Sequence, residues 1–121
     1  MQLNLENSKA DYQIRNYRPG CITINDQQYT SPILIMPSYL SAWNINDITQ
    51  VTENDLLQLL ELKPELILLG TGEQAKFLDL ALSSVITKHK IGLEIMTSAA
   101  ACRTYTILIA EQRNVLAALI I

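Results

Sequence analysis

Apolar positions along this chain change their spacing several times, and each change marks an element. From Ile14 the pattern is that of strands. Residues 21–24 are rich in β-branched side chains and end in Asn25-Asp26, and a second extended run covers residues 27–36. Asn-Asp between two such runs predicts a hairpin. Pro32 lacks the N–H that a ladder requires, so it marks an edge, a bulge or a break between two strands. Residues 38–50 keep neither period. A helix is then expected from Thr52, an N-cap followed by Glu53 and Asp55 in the positive first turn. Leu56, Leu59 and Leu60, with Leu57 beside them, supply its buried stripe, and Pro64 ends it.

The second half alternates. Residues 65–70 form an apolar run, as expected of a strand covered on both faces. A helix follows from about Asp79 to His89. Leu78, Leu82, Val85 and Ile86 share one of its faces, and Lys88, His89 and Lys90 sit at its C-terminal end, where cations suit the dipole. Residues 91–96 read as a strand. In residues 98–112 the stripe Ala101, Cys102, Tyr105, Leu108 and Ile109 has helical spacing, while Thr104, Thr106, Ile107 and Ile109 prefer strands. Ser98 as a cap and three alanines behind it tip the prediction to helix. Residues 114–121 close the chain as a strand. An early β section followed by α-β-α-β-α-β predicts a layered α/β domain with the hairpin added at one edge or face. Residues 1–13 are expected to be a loosely ordered lead-in, and 14–121 a single domain.

Composition narrows the function classes. The chain has 121 residues, 49% of them apolar and 17% charged, which is globular composition. The first 60 residues hold three basic and six acidic side chains, and the remainder holds six of each. No basic cluster exists to neutralise phosphates or an anionic membrane, so neither nucleic-acid binding nor direct membrane insertion is expected. The longest apolar runs fall far short of the ~20 residues of a membrane span. Cys21 and Cys102 have no metal-ligand spacing, and no metal cluster, paired carboxylates or Ser-His-Asp set stands out. With no signal-like start, a reduced cytoplasmic protein is the expectation.

One stretch resembles a chemical motif. Gly70-Thr71-Gly72, with Ala75 three residues on, has the G-x-G-x-x-G/A spacing of a dinucleotide turn, and Glu94 lies 22 residues beyond Gly72. A dinucleotide site needs a helix that starts at the glycines and points its N–H groups at the pyrophosphate. Here the helical stripe begins only near Leu78, and Glu94 falls inside a strand. The glycines are therefore read as relief of backbone crowding at a strand end.

Several motifs together resemble a known family: Met36-Pro37 with Trp43 soon after, Gly70-Thr71-Gly72 followed by Phe77, and Ala101-Cys102-Arg103-Thr104-Tyr105. The chain is similar, over residues 14–120, to the small α/β Mth938-type domains long catalogued as a domain of unknown function. These include a mitochondrial complex I assembly factor and an adipogenesis-associated protein. The resemblance implies a three-layer domain with a central mixed sheet of about five strands, flanking helices and an accessory N-terminal β hairpin. It implies no established activity and no cofactor. Two departures stand out. Thr97-Ser98 replaces a common Asp-Thr, which removes a carboxylate, and Leu78 replaces a common proline after Phe77.

The resemblance implies a non-enzymatic binding or assembly-support protein with an unknown protein partner, and leaves room for an oligomer. Tyr39 and Trp43 are the candidate interface, with core anchoring of Trp43 as the default reading. The alternative is a small-molecule or anion-binding protein, or an enzyme, using a crevice bounded by Gly70, Thr71, Gly72, Cys102, Arg103 and Tyr105. In the plainer reading Cys102 is a buried inert thiol. Arg103, near the positive end of its helix, then pairs with Glu73, Glu94 or Glu111.

Overall fold

The computed structural model describes residues 10–121, so positions 1–9 of the expected lead-in lie outside the described residues. Ala10 to Gln13 are tied down at several points. The Asp11 and Tyr12 N–H groups donate to the Pro37 carbonyl at 2.7 and 3.3 Å, and the Gln13 N–H donates to Asn25 Oδ1 at 3.0 Å.

The leading hairpin gains a third strand. β1 (Ile14–Arg18), β2 (Cys21–Ile24) and β3 (Gln27–Tyr29) form an antiparallel sheet in that order. Asn25, at φ +54°, opens the β2–β3 turn, as the Asn-Asp signal requires. Pro32 is a break: β3 stops at Tyr29 and β4 (Ile33–Met36) starts after the proline. The segment without a clear period resolves into β5 (Tyr39–Ala42) and a 3₁₀ turn (Ile48–Gln50). Four strand residues are too few to show a period of two. Helix α1 (Glu53–Leu60) has the expected cap: Thr52 and Asp55 satisfy each other's backbone N–H groups. Leu56 and Leu59 are buried, but Leu57 is exposed, one step round the helix from the stripe.

β6 (Leu66–Gly70), α2 (Leu80–Thr87), β7 (Gly92–Met96), α3 (Ser98–Ala110) and β8 (Val115–Leu119) follow. The main sheet has the order β5-β4-β8-β6-β7. β6 pairs parallel with β7 and β8, while β4 pairs antiparallel with β5 and β8. The result is the expected mixed five-stranded sheet.

β6 and β8 are buried at every position because both faces are covered. Ile67, Leu69, Leu116 and Ala118 meet α1 and α2 through Leu56, Leu59, Val85 and Ile86. Leu66, Leu68, Val115 and Ala117 face the other way and meet Ala101, Cys102, Tyr105 and Ile109 of α3, with Ile22 and Ile24 of the small sheet. Each such fully buried Leu or Ile contributes about 1.5–3 kcal/mol of transfer free energy. The helix stripe wins over the β-branched residues of 98–110 because this packing outweighs local preference. The cap, however, is Thr97, whose hydroxyl accepts the Ala100 N–H at 3.3 Å, and Ser98 is the first helical residue.

Candidate functional site

β6 leaves the sheet at Gly70, and the two glycines serve different ends. A Cβ on Gly70 would lie 2.8 Å from both Leu119 Cδ2 and Ser98 Oγ. Gly72 has φ +101°, which L side chains rarely adopt, and ordinary space around it. The Thr71 and Gly72 amide hydrogens are both committed. Thr71 N–H donates to the Met96 carbonyl at 2.9 Å, and Gly72 N–H donates to Ser98 Oγ at 2.9 Å. Ser98 Oγ in turn donates to the Ile120 carbonyl at 2.5 Å, and the Ser98 N–H donates to the Gly72 carbonyl at 2.9 Å. The Thr71 hydroxyl closes the loop on the Gln74 carbonyl at 2.7 Å.

The helix that follows in sequence, α2, starts only at Leu80. The helix end that meets the bend is that of α3, a whole β-strand later in the chain. Sequence spacing could not show this, because it reports only the next helix. Ser98 takes the Gly72 N–H that a pyrophosphate would need, and Glu94 stands exposed in the middle of β7.

Cys102 and Arg103 face a different space. They line a cleft of about 280 Å³ with Ile14, Arg15, Asn16, Tyr17, Ala99 and Thr106; Gly70, Thr71 and Gly72 do not line it. Cys102 is buried and free, as is Cys21. Burial pushes the Cys102 thiol up to about 12, against the weaker pull of Arg103. A thiol so protonated is not a nucleophile at neutral pH. Arg103 is exposed and forms no ion pair with Glu73, Glu94 or Glu111; the ion pairs among the described residues are Lys76–Asp47 and Arg113–Glu65. It lies in the second turn of α3, beyond the reach of the dipole that would have demanded a partner. Tyr105 is fully buried and donates to the Tyr12 carbonyl at 3.1 Å; burial raises its pKa. It serves as a tie between α3 and the entering chain.

Tyr17 gave no signal in the sequence. Its hydroxyl is shut off from solvent without a hydrogen bond of ordinary geometry among the described residues. Burial, Cys102 and Glu73 raise its pKa, and the Ser98 hydroxyl opposes them. His89 is exposed, with Nδ1 2.9 Å from the Val85 carbonyl at the end of α2. No three His, Cys, Asp or Glu side chains among the described residues are grouped to hold a metal.

Trp43 is 7% exposed and packs into the core beside α1, whereas Tyr39 is 38% exposed. Both line a larger cleft of about 690 Å³ between β5 and α1, with Asn54, Asp55, Gln58 and Glu61 on its helical wall. The most exposed large apolar side chains lie elsewhere. Phe77 is 94% and Leu80 81% exposed, in the loop after the glycine bend and at the start of α2. No described helix is long and apolar enough to cross a membrane.

The family model described as "Protein of unknown function (DUF498/DUF598)" matches residues 14–120. A "13 kDa major membrane protein" of Francisella tularensis is 31% identical over 117 residues, spanning 95% of each chain. The Drosophila melanogaster "NADH dehydrogenase [ubiquinone] 1 alpha subcomplex assembly factor 3" is 34% identical over 79% of this chain, which spans only 51% of that protein. A Bordetella pertussis protein solved by NMR and described as a Mth938-like domain superimposes with a TM-score of 0.81. It is 26% identical, with 98% of this chain and 91% of that one covered.

Proposed function

Because the chain belongs to the DUF498/DUF598 family, we propose that it is a non-enzymatic binding and assembly-support protein working on a protein partner in the cytoplasm. The observation that carries this reading is the exposure of Phe77 and Leu80, three residues apart, at 94% and 81%. Burying such a side chain on a partner is worth about 1.5–3 kcal/mol of transfer free energy. Polar residues flank the pair along the chain: Glu73 and Asp79 are exposed, and Lys76 is held 3.6 Å from Asp47. An aromatic anchor inside a polar rim is the anatomy of a protein interface. The closed glycine bend and the protonated, buried Cys102 supply no chemistry to compete with it. The relatives named as complex I assembly factors support the same class of role; the chain spans 51% of the Drosophila protein and 65% of the human one.

The test is affinity purification of the tagged chain from its native cells, beside a Phe77→Ser/Leu80→Ser variant. A defined set of proteins, respiratory subunits among them, is expected with the wild type and is lost with the variant. Equal recovery by both chains would remove the Phe77 anchor. Recovery of nothing, with a small anion raising the melting temperature, would overturn the assembly reading.

A further inference from the structure

The free edge of β5 carries a second, independent surface. The register Met36↔Tyr39, Leu34↔Ser41, and the Trp43 N–H donated to the Pro32 carbonyl at 2.9 Å, turn the polar backbone of Tyr39, Ser41 and Trp43 inward to the β4 side. In an antiparallel pair the alternate residues then turn theirs outward. The N–H groups of Leu40 and Ala42 therefore face the open edge, and among the described residues no strand pairs there. Sheet edges are usually guarded by charge, proline or a bulge. The other edge, β7, has exposed Glu94 at its centre. β5 reads Tyr-Leu-Ser-Ala, uncharged and in regular register.

A cleft flanks this edge on each face. On one side Ser41, Asp55 and Glu61 line a space of about 690 Å³ in which no basic residue takes part. On the other, Tyr29, Pro32 and Leu40 line a space of about 500 Å³. A strand added to β5 would send its side chains alternately into the two. We infer that β5 accepts an extended segment of a partner protein whose side chains alternate between basic and apolar. The basic ones meet Asp55 and Glu61, and the apolar ones enter the Tyr29–Leu40 side. Charge argues for this occupant over a second copy, whose β5 carries no charge, and over residues 1–9 of this chain, whose polar positions alternating with Leu3 and Leu5 are Gln2, Asn4 and the acidic Glu6, with a single base, Lys9, at the far end. The inference rests on the reading of the chain as protein-binding, but uses a different surface from Phe77.

The probe is a capped six-residue peptide of alternating lysine and valine, added to the full ¹⁵N-labelled chain. Saturating peptide is expected to slow hydrogen exchange at Leu40 and Ala42 by about tenfold or more, because both amides gain a ladder partner. A peptide of the same composition in block order is expected to bind more weakly. Glu61→Lys is expected to cut affinity by about threefold or more through charge reversal, with the fold unchanged because the side chain is exposed. Unchanged exchange at both amides, or equal binding of the block peptide, would overturn the inference. So would protection already present without peptide: independent of concentration it would point to residues 1–9, and rising with concentration to a second copy. The Phe77→Ser/Leu80→Ser chain must bind the peptide as wild type does. If the peptide is refused while that variant still loses its cellular partners, only the β5 inference falls.

Discussion

Ser98 Oγ accepts the Gly72 N–H at 2.9 Å and donates to the Ile120 carbonyl at 2.5 Å, so one hydroxyl ties the β6 exit to the end of β8. The side chain is completely buried, and both partners depend on it. Ser98→Ala takes this partner from a buried donor, the Gly72 N–H, and a buried acceptor, the Ile120 carbonyl. The expected loss is about 1–3 kcal/mol, read as a lower urea midpoint with an unchanged slope.

The glycines of the bend separate by mechanism. Gly70→Ala drives a methyl group to 2.8 Å from Leu119 Cδ2 and 3.0 Å from the Ser98 backbone, so the expected cost is overpacking of about 1–3 kcal/mol. Gly72→Ala meets only ordinary contacts, and its cost of about 1–2 kcal/mol is backbone strain at positive φ. Leu119→Ala empties a fully buried site and costs about 2–5 kcal/mol by itself, but it is expected to cost less in the Gly70→Ala background, where it also relieves the overlap. In the Gly72→Ala background its cost is expected to be unchanged, and thermal denaturation of the wild type, the three single variants and the two double variants checks both statements.

Cys102 makes stability fall at alkaline pH. Its thiol has an ordinary value of 9.0 and is pushed up to about 12 in the fold. Below the ordinary value both states hold the proton and pH has no effect through this group. Above it the unfolded chain releases a proton that the folded chain keeps, so stability declines as pH rises from 9.0 towards about 12. Tyr105, also raised by burial, adds to the decline from 10.0 upward. Urea midpoints measured against pH are expected to fall less steeply in Cys102→Ala than in the wild type. Iodoacetamide at neutral pH is expected to label Cys102 only once the chain is unfolded.

Phe77→Ser is expected to leave folding stability within about 0.5 kcal/mol of wild type, because a side chain 94% exposed contributes little to the core. The same change weakens capture of the partner. A large drop in melting temperature would show instead that Phe77 packs onto the fold.

Much of the layer plan was legible because packing on both faces writes itself into the chain. β6 and β8 must be apolar at every position, α3 must carry Ala101, Cys102, Tyr105 and Ile109 on one face, and Thr52 and Asp55 announce the start of α1. β5 was not legible, since four residues with two partly buried side chains show no period. Nor was the isolation of Arg103 from Glu73, Glu94 and Glu111, which depends on where three separate elements end.

Residue order alone determined the α-β-α-β-α-β order from Thr52 onward, the buried thiol and the need for glycine at a strand exit, because these follow from local sterics and from burial of one face. Only the tertiary structure decided what meets the Gly70–Gly72 bend. It brings the start of α3, 26 residues on, against that turn and lets Ser98 consume the amide hydrogen that a phosphate would require. It also put Cys102 and Arg103 in a separate cleft and left Phe77 outside. Those outcomes turn on contacts between residues far apart in the chain, and short-range spacing carries no record of them.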